Sequence, residues 1–190
     1  MSSMDSIFEG KLVRLAIPDF ERDNEIMVGW SRDSEYMRLS GSEPARMWWP
    51  AAEKNWLKEY MDEAYLFGIY RLEDDRLIGT LDFEVDNWAV RNAWLGIGIG
   101  DRSCWGKGYG SEAMRLLLHY GFEELHLDRV TLNVFEYNTR GVHVYEKLGF
   151  KLEGRYPKWL LREGKRWDLI YMGITRSEWE QVCAESGSSY

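Results

Sequence analysis

Two stretches of this chain carry residue types whose spacing suits chemistry. The first is residues 96–112, GIGIGDRSCWGKGYGSE. An alternating strand pattern ends there, a loop with Gly106, Gly108 and Gly110 follows, and a helical pattern begins. Glycine allows close backbone approach and lets successive N–H groups point one way. A helix N-terminus adds about half a positive charge. Together they suit an anion, phosphate above all. The mononucleotide P-loop is excluded, because Gly106-Lys107 is followed by Gly108 and not by a metal-binding hydroxyl, and Asp101 stands where its first glycine belongs. The dinucleotide fingerprint is excluded too, since the spacing is G-x-G-x-G. A purely structural turn is the other reading of these glycines.

The second stretch is residues 138–150, NTRGVHVYEKLGF. Asn138 is a natural N-cap. Tyr145 follows two helical turns later on the same face, where it could act or simply pack. Gly149 can close the helix in the left-handed C′ position.

Gly106-Lys107-Gly108-Tyr109-Gly110, then Asn138, then Tyr145-Glu146-Lys147-Leu148-Gly149-Phe150, resembles the GNAT acetyltransferases. The similarity is to the branch of ribosomal-protein N-terminal acetyltransferases (RimJ/RimL-like) and spermidine acetyltransferases, and it runs over about residues 8–174. The family pattern opens with Gln or Arg, where this chain has Trp105. The resemblance implies acetyl-CoA as cosubstrate and no metal. It implies that Ile97, Gly98 and Ile99 bond the pantetheine arm through backbone groups, one N–H polarising the thioester carbonyl. It implies that Trp105, Gly106, Lys107, Gly108, Tyr109 and Gly110 hold the pyrophosphate, with Arg102 supplying charge. Asn138 would hold the pantetheine arm, and Tyr145 would protonate the leaving thiolate. Asp82, Glu84 and Asp86 alternate along one strand face; Asp82 or Glu84 is the candidate base or cation partner, and Glu136 a weaker one. A solvated acidic face is the plainer reading of that alternation.

The resemblance implies a small-molecule or peptide amine as acceptor: a protein N-terminus, or alternatively a polyamine or aminoglycoside. A non-catalytic acyl-CoA sensor is the competing class. Trp48, Trp49 and Trp56 could wall the acceptor pocket, with Asp33, Glu35 and Glu43 supplying negative charge. Cys104 sits beside the cradle without a basic neighbour in sequence, which argues against an acyl-cysteine route.

These residues need a frame. The chain has 190 residues, which suits one domain spanning 1–190, with a core over about 8–176 and loose ends at 1–6 and 186–190. Apolar residues make up 45%, enough for a core, and ten Trp favour ring-lined packing. Residues 11–17, 65–71, 76–86, 93–100, 129–135, 150–153, 159–162 and 166–174 read as strands. Residues 19–38 read as a broken helix, residues 50–62, 109–124 and 138–148 as helices, and Ser177 with Glu180 as the cap of a last one. This order predicts an α/β domain: a single mixed, largely antiparallel sheet flanked by helices.

Charge and cysteine set the exclusions. The net charge of −8 lacks the basic excess of a nucleic-acid binder. No apolar run is long enough for a membrane span, and MSSMDSIFEG does not read as a signal peptide. Two cysteines make no framework, and three histidines have no metal spacing, so a cytoplasmic protein without metal is expected. The resemblance adds a homodimer to these expectations.

Overall fold

The computed structural model describes residues 6–47 and 64–186. The helix expected over 50–62, with Trp48, Trp49 and Trp56, lies outside the described residues. Seven strands form one mixed sheet: β1 (Val13–Ala16), β2 (Ala64–Arg71), β3 (Arg76–Asn87), β4 (Asn92–Ile99), β5 (Arg129–Phe135), β6 (Lys151–Arg162) and β7 (Lys165–Thr175). Their order is β1-β2-β3-β4-β5-β7-β6. Pairing is antiparallel in β1–β2, β2–β3, β5–β7 and β6–β7. β4 and β5 are parallel, and their ladder covers only Asn92–Trp94 against Arg129–Thr131.

The helices are α1 (Phe20–Trp30), α2 (Ser34–Ser40), α3 (Tyr109–His119), α4 (Thr139–Lys147) and α5 (Arg176–Ser186). The broken helix expected over 19–38 is two helices, each started by its own aspartate. Asp19 accepts from the N–H groups of Glu21 and Arg22 at 3.0 and 3.3 Å. Asp33 does the same for Glu35 and Tyr36 at 3.0 and 3.2 Å. A side-chain acceptor at position 33 competes with continuation of the helix. The helix expected over 109–124 is α-helical to His119 and then widens into a π-turn, Tyr120–Glu124.

Two strands expected at 150–153 and 159–162 are one long edge strand, β6. Its register slips between Leu152 and Gly154 and between Tyr156 and Leu160. Pro157 falls in the second slip, where an edge strand tolerates a missing donor. The cap expected at Ser177 sits two residues earlier. Thr175 N–H donates to Glu178 Oε2 at 2.9 Å, and Glu178 N–H returns to Thr175 Oγ1 at 3.4 Å, a reciprocal capping box.

Two compact units are distinguished, Met1–Glu84 with Gly96–Tyr120, and Val85–Leu95 with Gly121–Tyr190. The first is built on a cluster of Met27, Trp30, Leu66, Tyr70 and Leu77. Asp23 is buried within it. Its carboxylate accepts from the Tyr70 hydroxyl at 2.5 Å, the Arg22 Nε at 2.9 Å and the Asp19 N–H at 3.1 Å. A buried carboxylate is tolerable when its lone pairs are all engaged in this way. The second unit is built on period-two alternation: Val130, Leu132 and Val134 pair with Ile174, Met172 and Ile170, and all six are buried.

Burial, with Asp23 beside it, pushes the Tyr70 phenol up to about 12. Its raised folded value means that this contribution is whole below pH 10 and declines as pH rises toward 12. Tyr70→Phe should lower unfolding free energy by about 1–3 kcal/mol at neutral pH, because Asp23 loses a donor. Urea unfolding of the variant should also lose less stability than wild type between pH 10 and 12.

Candidate active site

Strand β4 presents two different faces. Gly96, Gly98 and Gly100 alternate with Ile97 and Ile99, so the glycines share one face and the isoleucines the other. Each glycine is overlain by a different side chain. A Cβ at Gly96 would lie 2.6 Å from Asp82 Oδ1, one at Gly98 2.7 Å from the Tyr36 hydroxyl, and one at Gly100 2.0 Å from the Trp30 ring. Such separations leave no room for a side chain at any of the three. On the opposite face, Gly110 at the start of α3 packs over Ile97 and Ile99, with a Cβ there 3.4–3.8 Å from their side chains.

The loop after β4 is pinned at several points. Asp101 caps a short 3₁₀ turn, Arg102–Cys104, by accepting from Ser103 N–H at 2.9 Å. Trp105, at the position where the family has Gln or Arg, donates its indole N–H to the Ile99 carbonyl at 2.6 Å. This holds the loop against the strand end. Gly106 and Gly108 have φ of +73° and +90°, a region that residues with a Cβ rarely enter. Gly108 is the N-cap of α3, and no side chain hydrogen-bonds to cap that helix start. Lys107 is exposed beside it. The loop therefore offers backbone donors, a positive helix end and a cation, which fits an anionic group.

Glu112 anchors α3 to β1. Its carboxylate accepts from the N–H groups of Lys11, Leu12 and Val13 at 3.1, 2.6 and 2.9 Å. Sequence reasoning did not single out Glu112, and only a partner about a hundred residues away gives it meaning. Arg102, expected at the pyrophosphate, directs its fork at two carboxylates. It bonds Asp33 at 2.6 and 2.8 Å and Glu35 at 2.6 Å, and it lies over the Trp105 ring at 4.8 Å. The Arg102 bonds hold the Asp33 carboxyl below its ordinary range. Asp33 and Glu35, expected as charges beside an acceptor pocket, are both paired with Arg102. Cys104 is buried, close to Arg71.

Asp82 is half-buried beside Gly96, while Glu84 is exposed and Phe83 between them fully buried, as strand alternation requires. In the second unit, Asp86 accepts from the Trp94 indole N–H at 2.6 Å. Glu136 faces Arg155 at 3.5 Å and accepts from Asp168 N–H at 3.3 Å.

Also in the second unit, Asn138 starts α4 as expected, accepting from Gly141 N–H at 3.0 Å. Gly149, with φ of +95°, ends it, and the Phe150 N–H bonds back to the Tyr145 carbonyl at 3.1 Å. The Tyr145 ring meets Phe150 edge-on, centroids 6.1 Å apart. Burial pushes its phenol up to about 12. His143 is exposed. Among the described residues, no group of three His, Cys, Asp or Glu is arranged to hold a metal, and no helix is long and apolar enough to cross a membrane.

The Glu112 anchor is directly testable. Glu112→Ala should cost about 2–4 kcal/mol, because it strips an ionised acceptor from three backbone donors. The urea midpoint should fall with an unchanged denaturant slope.

Comparison with known proteins bears on the family and the fold. Residues 14–151 match the family described as acetyltransferase (GNAT) domain. The probable N-acetyltransferase YjcK of Bacillus subtilis is 43% identical over 94 residues, covering 49% of this chain and 51% of that protein. The [ribosomal protein uS5]-alanine N-acetyltransferase of Escherichia coli is 29% identical, covering 61% of this chain and 60% of that one. The alignments thus span about half to three-fifths of these relatives' lengths. Spermidine N-acetyltransferase from Vibrio cholerae, solved with CoA and spermine, superposes with a TM-score of 0.77 at 24% identity, over 88% of this chain and 98% of that one. That likeness is one of fold. With a family match over most of its length and the sheet to accompany it, this chain belongs to the acetyltransferase (GNAT) family.

Proposed function

We propose that this protein transfers an acetyl group from acetyl-CoA to a primary amine by direct attack in a ternary complex. One observation carries the reading. A strand whose parallel ladder stops at Trp94 runs on into a loop of left-handed glycines and a helix start that no side chain caps. A strand edge with unladdered amides suits an extended amide-bearing chain, and the helix start suits its phosphates. When bound, acetyl-CoA supplies the activated acyl group.

In this reading the backbone of Ile97, Gly98 and Ile99 holds the pantetheine arm, and one N–H stabilises negative charge on the carbonyl oxygen. Trp105–Gly110 receives the pyrophosphate. Asn138 steadies the arm. Asp82, or Glu84, takes a proton from the ammonium through water. The amine nitrogen then bonds to the carbonyl carbon, and the carbon–sulfur bond breaks. Tyr145 gives its proton to the departing thiolate, and the second proton released by nitrogen restores the phenol. A phenol pushed up to about 12 is fully protonated at neutral pH, the state that a proton donor needs.

The acceptor we favour is a peptide or protein N-terminus. The support is the named activity of the Escherichia coli relative. A polyamine has support only from a structural neighbour below 25% identity. The proposal extends to one catalytic domain over residues 1–190, acting in the cytoplasm as a homodimer.

The test is thiol release from acetyl-CoA against pooled peptides, polyamines, amino acids and aminoglycosides. Release with peptides alone supports the reading, whereas acetyl-CoA binding without release from any pool points to a sensor. Tyr145→Phe should lower kcat about a hundredfold or more while the acetyl-CoA Kd changes little. Equal loss in both would remove Tyr145 from the acid role. Because Tyr145 stays protonated below about pH 10, kcat should show no alkaline fall before that pH.

A further inference from the structure

The geometry points to Arg102 as an acceptor-side positioning residue: it clamps α2 so that the Tyr36 hydroxyl stands on the glycine face of β4, where the amine must arrive. The inference rests on the acetyl-transfer reading above and adds to it the side of approach and the residue that guards it.

The side of approach follows from stereochemistry. A thioester carbonyl held by a β4 backbone N–H lies near the plane of the sheet. A nucleophile attacks a carbonyl carbon from outside its plane, with reacting atoms about 3–3.5 Å apart. One side of that plane is closed, because Ile97 and Ile99 project there and α3 packs on them through Gly110. The other side carries the glycines. There, Asp82 stands on Gly96 and Tyr36 on Gly98. Successive same-face positions are about 6.8 Å apart along a strand, so a carboxylate and a phenol stand over neighbouring glycines of the stretch that would hold the thioester.

Tyr36 is placed by a short chain of bonds. α2 has seven residues and buries none of them fully. The Tyr36 N–H donates to Asp33 Oδ1, the same oxygen that accepts from Arg102 Nη2 at 2.6 Å. Arg102 Nε holds the other oxygen at 2.8 Å, and its Nη1 holds Glu35 at 2.6 Å. A guanidinium bonded to two carboxylates of one helical turn fixes that turn's orientation as a point charge would not. Packing of the Tyr36 ring edge-on to Trp30 completes the placement.

The experiment compares wild type with Arg102→Ala, Arg102→Lys and Tyr36→Phe. Calorimetry gives the acetyl-CoA Kd, amide exchange reports protection of residues 34–40, and thiol release gives KM and kcat for an alanine-initiated tetrapeptide. Arg102→Ala should leave the acetyl-CoA Kd within about twofold, speed exchange in 34–40 about tenfold, and raise peptide KM about tenfold with a smaller change in kcat. Arg102→Lys should restore only part of the protection. Tyr36→Phe should keep the protection and still raise peptide KM, which separates contact from clamp. An acetyl-CoA Kd weakened tenfold with exchange unchanged would assign Arg102 to the phosphates and overturn the inference. If wild type binds acetyl-CoA but acetylates no amine, the transfer reading fails. The acceptor half of the inference then fails with it, while Kd and exchange still decide what Arg102 holds.

Discussion

The absence of side chains on one face of β4 is the constraint around which the first unit is arranged. Gly96, Gly98 and Gly100 let Asp82, Tyr36 and Trp30 each rest directly on strand backbone. A methyl group at any of the three would meet an atom at 2.0–2.7 Å. Glycine weakens a strand through entropy and lost packing. Here that loss is offset by an indole, a phenol and a carboxylate that fill the vacated face. The Ile97 and Ile99 face does the conventional work of packing a helix. One strand thus packs a helix with its own side chains on one side and receives the side chains of other elements on the other.

The loop beyond β4 shows why a helix start can be left without a side-chain cap. Uncapped amides at a helix start cost stability unless something else compensates. Glu112, in the first turn of α3, places a carboxylate near the positive helix end and spends its oxygens on three β1 amides. Trp105 ties the loop to Ile99, and Arg102 ties it to α2. The helix start is held by everything around it except a cap of its own.

In the second unit, burial alone accounts for the raised Tyr145 phenol. Desolvation keeps the proton on by disfavouring the anion. Asn138 and Gly149 define the ends of the helix that carries it, so its register is set by capping chemistry. The Asp23–Tyr70 pair in the first unit uses the same physics for stability. There a charged partner joins the burial, and a hydrogen bond to Asp23 holds the proton.

Period-two alternation located β2, β3 and β5, because a half-buried strand writes its burial into consecutive residues. Capping residues at 138 and 149 and the glycines of the loop were likewise readable, since each acts within a few residues of itself. Edge strand β6 was read as two pieces because its slips around Leu152 and Pro157 break the alternation that a reader follows. The last cap was read at Ser177 rather than Thr175, two overlapping solutions that local chemistry scarcely separates. The partners of Glu112, Arg102 and the β4 glycines were not readable at all. Glycine announces that something comes close, but not what. A carboxylate or guanidinium finds its partner through chain reversal over tens of residues, and nothing in its immediate neighbours encodes that distance. Local periodicity and capping therefore determined the elements and the glycine loop, and only tertiary packing decided which side chains stand on β4 and which charges are already spoken for.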